Sequence, residues 1–325
     1  MATRLGRGHC GAHLTLLFTV EDDAEEHELQ GSTGSGICLE DGVEAIARGE
    51  DGLPSLDVSF LGEEYDQSMY EEVLNVLGQK IPEVRGLSWE LSIRMALPAS
   101  QGFGMSASGA VAAAMAFQRA IGTPNEECVR RSFLVAHIVE RRRSSGLGDT
   151  TALAAGGVER RTVAGSPYSR NLLSNGPGES EGWASNTPVL LCWRSKTGTH
   201  TSKYINDETW KKKISIAGKN AMSSLGKGAW DSSRWMDLIE SSKRFSEESG
   251  LLGDSSRGTL VSLVEQAVFD CGLGGDTSVL LCMLGESAVV VPNDWRDGDE
   301  KLEMVAKLLD PKGVKSQISR VGGRP

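Results

Sequence analysis

The segment LPASQGFGMSASGAVAAAMAFQRAIG, residues 97–122, is the stretch around which the rest of the chain is organised. Before it, apolar residues alternate with less apolar ones, the period of a half-buried strand, at Leu87, Trp89, Leu91, Ile93, Met95 and Leu97. Residues 110–120 are rich in alanine and contain no proline, which predicts a helix packed on nearly all sides. The sequence therefore predicts a strand, a loop of small residues and a buried helix.

The loop of small residues, 102–109, predicts a phosphate site. Small side chains let backbone N–H groups approach a ligand, and a helix N-terminus carries about half a positive charge. The glycine spacing does not match G-x-G-x-x-G, and the chain contains no G-x-x-x-x-G-K-[ST]. A turn that needs glycine only for its backbone angles would explain the loop as well. We interpret the loop as an ATP site.

The composition limits the classes of function. A length of 325 residues with 39% hydrophobic content is typical of a globular protein of two domains. The net charge of −10 argues against a nucleic-acid partner, which would require clustered cations. Six scattered cysteines with no C-x-x-C pair predict free thiols in a reducing compartment. The apolar run 14–20 is too short to span a bilayer, so we expect a cytoplasmic protein with no membrane partner.

A second helix is predicted after residue 122. Thr123 as N-cap, Pro124 in the first helical position and Glu126 as the end of a capping box are typical start signals. Further along, Glu140 shares a face with Val129, Phe133 and Ala136.

This spacing places the Glu140 carboxylate on the packed side of the helix. A buried unpaired carboxylate costs several kcal/mol. Glu140 must therefore meet a cation, turn to water, be protonated or pair with the arginines at 141–143. Those arginines suit the negative end of the helix dipole and need no other role.

Other patterns predict the remaining elements. We expect strands at 14–20, 189–192, 277–284 and 287–291, and helices at 65–80, 205–224, 232–248 and 256–270. Gly78 is predicted to end the helix at 65–80, and the Gly, Ser, Asn and Pro content of 165–188 predicts a linker.

Three spaced motifs resemble those of the GHMP kinases, the small-molecule kinase superfamily that includes galactokinase, homoserine kinase and mevalonate kinase. The first is P-x-x-x-G-x-G-x-S-A, matched by Pro98, Gly102, Gly104, Ser106 and Ala107. The second resembles S-G-x-D and ends at Asp149, with paired glycines at 156 and 157. The third, MLGES at 283–287, resembles a glycine-rich turn near the phosphates, although a plain hairpin explains it equally well.

The variants QGFGMSASGA and GLGD resemble the pantoate kinase branch in particular, with Glu140 nine residues before Asp149 and Arg161 twelve residues after it. The segment from Gly31 resembles GS-x-G-[AS]-G, and Gly8-His9 resembles the branch's first segment, with Arg7 in place of a proline. The resemblance implies that Ser32, Arg161 and His9 bind the acceptor, pantoate.

The resemblance also implies roles for the remaining residues. Asp149 would accept or steer the proton of the attacking hydroxyl. Ser106 and Glu140 would act in catalysis by holding Mg²⁺, which needs few protein ligands. ATP would be bound by a set of eight loop residues: Pro98, Gly102, Gly104, Met105, Ser106, Ala107, Ser108 and Gly109.

The implied activity is ATP-dependent phosphorylation of (R)-pantoate to 4-phosphopantoate in archaeal coenzyme A synthesis. The implied fold is α+β, the GHMP kinase fold. It combines an N-terminal domain like domain 2 of ribosomal protein S5, residues 1–170, with a ferredoxin-like C-terminal domain, residues 185–325. The oligomeric state is left open, with a homodimer among the candidates.

Three alternatives remain at this point. A GHMP kinase could act on another hydroxy acid, such as homoserine or mevalonate, or the fold could bind nucleotide without turnover. Ser106 could instead be the nucleophile of a hydrolase, with His137 or His200 as base and Asp149 orienting it. Against a hydrolase, GMSAS lacks the second glycine of G-x-S-x-G.

Overall fold

Ten strands and eight α-helices make up the part of the chain that the computed structural model describes, residues 3–63, 65–170, 174–194, 207–297 and 301–324. The strands are β1 (Arg4–Phe18), β2 (Gly34–Asp51), β3 (Ser55–Phe60), β4 (Leu87–Met95), β5 (Val158–Val163), β6 (Glu179–Trp183), β7 (Pro188–Arg194), β8 (Thr277–Cys282), β9 (Ser287–Pro292) and β10 (Val314–Arg320). The helices are α1 (Ser68–Lys80), α2 (Met105–Ala120), α3 (Asn125–Arg143), α4 (Asp149–Ala155), α5 (Glu208–Leu225), α6 (Trp235–Glu248), α7 (Ser255–Asp270) and α8 (Leu302–Leu309).

The first sheet has the order β3-β4-β2-β5-β6, and β1 runs antiparallel along β2. Only β3 and β4 pair in parallel among its described strands, and α1 lies between them in the chain. The long strand β2 pairs with β4 through residues 43–51 and with β5 through residues 34–37. This register brings β5 beside the start of β2, where Gly34 faces Arg161.

Helix α2 packs directly on β1. Every residue from 107 to 118 is buried, as its alanine-rich sequence predicts. At Gly8 a Cβ atom would overlap the Ala112 carbonyl, so the absence of a side chain lets the helix contact the strand backbone. Strand β4 also shows the predicted alternation, with Leu87, Trp89, Leu91 and Ile93 buried.

The second sheet is antiparallel, in the order β10-β7-β9-β8. It joins the first sheet through backbone hydrogen bonds. The Met283 N–H donates to the Thr15 carbonyl over 3.0 Å, and the Gly322 N–H donates to the Cys38 carbonyl over 2.9 Å. The hairpin turn between β8 and β9 is therefore held beside β1. In the described ranges, no helix has the length and apolar character needed to cross a bilayer.

Several predicted boundaries are wrong. Strand β1 begins at Arg4, ten residues before the predicted start, because glycines that are poor strand formers are used here to contact α2. Helix α1 continues through Gly78 to Lys80. The predicted linker 165–188 contains β6, which pairs with β5. The predicted helix start at 205 lies outside the described residues.

The capping box predicted at Thr123 and Glu126 is also wrong. Helix α3 begins at Asn125, with Pro124 as its N-cap and no side-chain cap. Pro124 has extended backbone angles, and Glu126 pairs with Arg130 over 2.9 Å instead of reaching back to the helix start. The division into domains at 1–170 and 185–325 stays a prediction.

Candidate active site

A cavity of about 360 Å³ opens where several parts of the chain meet. These are the loop after β4 with the start of α2, the start of α1, the end of α3 with the loop that follows it, β1 with the segment before β2, β5, and the turn between β8 and β9. Predicted site residues that line this cavity are Ser32, Gly102, Gly104, Met105, Ser106, Glu140, Asp149 and Arg161. Segments far apart in the sequence are thus brought to one place.

The glycine-rich loop turns the N-terminus of α2 toward the cavity. Gly104, the N-cap of α2, has a left-handed φ of 64°, which a residue with a side chain rarely adopts. Gly102, Met105 and Ser106 also line the cavity, and the first turn of α2 carries no acidic residue. The positive end of a 16-residue helix is therefore available to an anion.

Four of the eight residues predicted to bind ATP do not line the cavity: Pro98, Ala107, Ser108 and Gly109. The Ser108 hydroxyl is buried and donates to the Gly11 carbonyl, so this side chain holds α2 on β1. At Gly109 a Cβ atom would lie 2.8 Å from the Tyr70 Oη atom, so the glycine permits close packing of α1. Ser108 and Gly109 therefore have packing roles, and their predicted contact with ATP stays a prediction.

The MLGES turn packs on the glycine-rich loop. The Ser287 hydroxyl donates to the Gln101 carbonyl, and a Cβ atom at Gly285 would overlap that same carbonyl. The buried Arg257 donates from Nε to the Gly285 carbonyl over 2.9 Å, which fixes the turn from the other side. Met283 and Leu284 line the cavity. The turn thus shapes the loop, and its part in ligand binding stays a prediction.

Glu140 is buried among hydroxyl groups beside the start of α2. Its Oε1 atom accepts from the Ser106 hydroxyl and, over 2.8 Å, from the Ser145 hydroxyl. Burial raises the pKa of the Glu140 carboxyl to about 7; the charge of Asp149 adds to this, while the two serine hydrogen bonds and the charge of Arg141 oppose it. Among the described residues no basic side chain lies within 4.0 Å of this carboxylate.

The three arginines that follow Glu140 all have other partners. Arg141 donates to the Gly146 carbonyl over 2.8 Å, Arg142 lies 3.7 Å from Glu72, and Arg143 lies 2.9 Å from Asp66. None of the three forms an ion pair with Glu140, although the charge of Arg141 lowers the pKa of this carboxyl.

The serine hydroxyl and the carboxylate are oxygen ligands suited to a hard cation. In the described ranges no group of three or more His, Cys, Asp and Glu residues could hold a metal by itself. Magnesium bound with a nucleotide needs only one or two protein ligands, because phosphates and waters supply the rest. The pair Ser106 and Glu140 fits that requirement and does not fit a metal site built from protein ligands alone.

Asp149 is held by a buried histidine. The His13 Nδ1 atom lies 2.6 Å from Asp149 Oδ1, and Nε2 lies 3.1 Å from Glu159 Oε1. Both ring nitrogens can donate only in the imidazolium form. Burial lowers the pKa of His13, but the hydrogen bonds and charges of the two carboxylates outweigh burial and raise it overall. Each ring nitrogen of His13 thus faces a carboxyl group, an arrangement that favours the charged imidazolium form.

The same contacts keep Asp149 ionised. Burial raises the pKa of this carboxyl, but the hydrogen bond and charge of His13, helped by Arg161 and Thr15, bring the pKa below its usual value. The Thr15 hydroxyl lies 3.4 Å from Asp149 Oδ1. Oδ1 is thus occupied by His13 and Thr15, and Oδ2 is close to Gly146, where a Cβ atom would lie 3.0 Å away. The missing side chain at Gly146 leaves Oδ2 open.

Arg161 and Ser32 form a second polar pair on this cavity. Arg161 is 1% exposed, and its Nε atom lies 3.5 Å from Glu159 Oε2. A Cβ atom at Gly148 would overlap both Arg161 Nη1 and Ser32 Oγ, which shows that these two groups are neighbours. Arg160 points to the other face of β5 and donates to Glu181, as strand alternation predicts.

His9 lies on β1 opposite Glu44, is exposed and does not line the cavity, so its predicted role in acceptor binding has no support from the cavity and stays a prediction. The histidine that contacts Asp149 is His13, four residues later, which is buried behind the cavity and was missed by sequence reasoning. The sequence pattern that could have identified His13 is its spacing from Thr15. Alternate residues of a strand share a face, so the two side chains point to the same side of β1. Because Glu159 lies 146 residues away, no local pattern points to it as the second partner of His13.

The arrangement does not support a serine hydrolase. Ser106 is bonded to a carboxylate, with no histidine beside it among the described residues. His137 binds Thr150 and the His27 carbonyl, each over 3.0 Å, and burial lowers its pKa to about 4. His200 lies outside the described residues.

Comparison with known proteins gives related sequences. Residues 68–157 match the family model for the GHMP kinases N terminal domain. The chain is 27% identical over 318 residues to a pantoate kinase from Thermococcus kodakarensis, covering 97% of this chain and 95% of that one. It is 30% identical over 167 residues to a pantoate kinase from Methanospirillum hungatei, covering 48% of this chain and 52% of that one.

Solved structures show the same fold. A structure described as a phosphotransferase related to the CoA biosynthesis pathway aligns with a TM-score of 0.76 at 24% identity, covering 98% of this chain and 97% of that one. A homoserine kinase from Cytophaga hutchinsonii aligns with a TM-score of 0.63 at 15% identity, covering 98% and 96%. The α+β fold is therefore that of the GHMP kinases, as predicted, and residues 68–157 are similar to the N-terminal domain of that family. Together with the similarity to a pantoate kinase along almost the whole chain, this supports a small-molecule kinase.

Proposed function

We propose that the chain transfers the terminal phosphoryl group of ATP to (R)-pantoate and forms 4-phosphopantoate. The observation that carries this proposal is the position of Asp149 and Arg161 on one cavity, with Ser32 beside the arginine. Such a site suits an acceptor that has both a hydroxyl to be activated and a carboxylate to be bound. Two relatives with the name pantoate kinase support the same acceptor.

On the nucleotide side, the residues position phosphate and neutralise charge. Backbone N–H groups at the start of α2 would bind phosphate oxygens. Ser106 and Glu140 would hold Mg²⁺, which supplies charge neutralisation at the phosphates when bound. Glu140 must be ionised for this role, and a neighbouring cation favours the ionised form. A carboxyl with a pKa of about 7 in the resting protein can make that change at neutral pH.

On the acceptor side, Arg161 would bind the carboxylate of pantoate through its planar fork, and Ser32 would add a hydrogen bond. Glu159 contributes by fixing the arginine from behind, since it is fully buried and lies 3.5 Å from Arg161 Nε. The acceptor hydroxyl would then face the open Oδ2 atom of Asp149.

In the proposed phosphoryl transfer, Asp149 acts as the general base. The hydroxyl oxygen of the acceptor forms a bond to the terminal phosphorus, and the bond from that phosphorus to the bridging oxygen breaks and releases ADP. The hydroxyl proton passes to Asp149. His13 is a positioning residue, because it holds Oδ1 and keeps Asp149 ionised without reaching the acceptor itself.

The test measures ADP release from magnesium-ATP with (R)-pantoate, homoserine and mevalonate in turn. We expect turnover with pantoate alone, and ³¹P NMR of the product should show a phosphate monoester on the primary hydroxyl. Turnover with homoserine or mevalonate and none with pantoate would contradict the proposed acceptor. ATP binding without turnover on any acceptor would instead favour a protein that only binds nucleotide.

A further inference from the structure

Arg143 is a second cation on the cavity that none of the motifs includes. It lies in the last turn of α3, three residues after Glu140, and residues at this spacing share a helix face. Its Nη2 atom lies 2.9 Å from Asp66 Oδ2, and Nη1 donates to the Ser68 hydroxyl over 3.1 Å. Asp66 precedes α1 and lines the same cavity. The pair therefore connects the end of α3 to the start of α1 at the edge of the site.

The charges around the cavity are unfavourable for a triphosphate without this arginine. The carboxylates that line the cavity in the described part of the chain are Asp66, Glu140 and Asp149, and its cationic side chains are Arg143 and Arg161. Arg161 is buried against Glu159 on the acceptor side. Arg143 lies one helical turn after Glu140 and lines the cavity, and its side chain is 29% exposed, so it can reorient.

The ion pair between Arg143 and Asp66 can break with little loss of free energy. Asp66 accepts from the Ser68 backbone N–H over 2.9 Å and from the Ser68 hydroxyl over 2.6 Å. These bonds, more than Arg143, bring the pKa of Asp66 below its usual value. Asp66 therefore keeps its partners if the arginine leaves. An exposed ion pair contributes little, whereas a guanidinium bound to phosphate through two hydrogen bonds is strong.

We propose that Arg143 leaves Asp66 when nucleotide binds and holds phosphate oxygens of the triphosphate. The Asp66–Arg143 pair is then the resting position of a phosphate clamp. This inference rests on the kinase site proposed above and does not depend on the identity of the acceptor. Arg142, the neighbouring residue, lies 3.7 Å from Glu72, and Arg143 lies 4.0 Å from the same carboxylate. Arg142 lines a different cavity, so it provides a matched control for the loss of one positive charge at the end of α3.

The test is calorimetric binding of ATP, ADP and adenosine in the presence of Mg²⁺ and without acceptor. Arg143→Ala should weaken ATP binding about tenfold or more, the usual effect of losing a charge-assisted hydrogen bond. The loss should be smaller for ADP and absent for adenosine. Arg142→Ala should bind all three ligands as the wild-type protein does. Asp66→Asn, which breaks the same pair but keeps the arginine, should bind ATP as tightly as the wild-type protein or more tightly.

Three results would overturn the clamp. Arg143→Ala could bind ATP as well as Arg142→Ala does, or it could lose affinity for adenosine as much as for ATP. Asp66→Asn could lose as much ATP affinity as Arg143→Ala, which would make the pair a structural brace. If pantoate is not phosphorylated but the affinities follow the expected order, the clamp is supported and only the acceptor proposal fails.

Discussion

On the acceptor half of the site, Asp149 and Arg161 line the cavity and His13 and Glu159 lie buried behind them, so that each carboxylate lies beside a basic side chain. On the nucleotide half, formed by the glycine-rich loop, Glu140 and Ser145, the carboxylate is surrounded by hydroxyls. Glu140 and Glu159 are both almost fully buried, at 3% and 0% exposed. Two acids of similar burial are thus accommodated in different ways, one by an ion pair and one by a raised pKa.

This difference separates a half that is already organised from one that lacks a cation. Removing one partner from a buried ion pair is strongly destabilising, so the four charges of the acceptor half must be kept together. Glu140 has no such partner in the described residues, and the energetic cost of ionising it remains until a cation arrives. The nucleotide half is therefore the part of the site that we expect to respond to pH and to magnesium.

The largest expected effect is on turnover, and it comes from changing Asp149 on the acceptor half. Asp149→Asn replaces the proposed base by an amide that cannot accept a proton, so turnover should fall about 10²- to 10⁴-fold. Nucleotide affinity should not change, because Ser106 and the glycine-rich loop remain. Steady-state kinetics and calorimetry on the same preparation would measure both. If the variant turns over at the wild-type rate, Asp149 is not the base.

The next effect is on stability and tests Glu140, the buried acid without a cationic partner among the described residues. Because the pKa of Glu140 is raised from 4.5 to about 7 in the folded protein, its stability contribution is fully present below about pH 4.5 and is lost as pH rises through about 7. Glu140→Gln should not lose stability in this way, because the glutamine side chain does not ionise. Without Mg²⁺ at pH 8, the free energy of unfolding of the variant should exceed that of the wild-type protein by up to a few kcal/mol, at about 1.4 kcal/mol per pKa unit.

Urea denaturation in the presence of a chelator, at pH 5 and pH 8, would measure this difference. At pH 5 the difference should be much smaller than at pH 8, because pH 5 lies only just above 4.5, where the unfolded carboxyl begins to ionise. A difference of the same size at both pH values would mean that burial of an ionised Glu140 is not what costs stability.

A third experiment compares two adjacent arginines of β5. Arg161→Ala should raise the acceptor KM about 10- to 100-fold, the usual range for a lost charged hydrogen bond, and leave the ATP KM unchanged. Arg160→Ala is the control, because Arg160 points to the other face and contacts Glu181 and the Leu225 carbonyl. An equal rise of the acceptor KM in both variants would show a general disturbance of the strand.

The smallest expected effect on activity comes from changing His13, the buried histidine beside Asp149. His13→Gln removes the charge that lowers the pKa of Asp149, so the base should be protonated up to a higher pH. The acid limb of the kcat/KM profile should therefore move to higher pH, and the rate on that limb should fall. His9→Gln, an exposed change on the same strand, should leave the profile in place. A profile that His13→Gln does not move would show that His13 serves packing alone.

Local sequence patterns predict much of the secondary structure of the protein and which faces of its elements are buried. The alternation in β4 and the alanine-rich run of α2 follow from the periods of strands and helices, and both predictions are confirmed. Helical spacing also predicted that Glu140 faces inward, which its burial confirms. Start signals were less reliable. Thr123 and Glu126 have the composition of a capping box, but the extended conformation of Pro124 prevents it.

The sequence by itself determined the elements around the glycine-rich loop, the inward carboxylate at 140 and the family motifs. The tertiary structure alone decided which charges meet. It placed His13 between Asp149 and Glu159, left His9 outside the cavity, and directed Arg143 and the adjacent Arg142 to different cavities. The physical reason is that local periodicity reports which side of an element is buried, whereas pairing of charges depends on strand register and helix packing between residues that are far apart in the sequence.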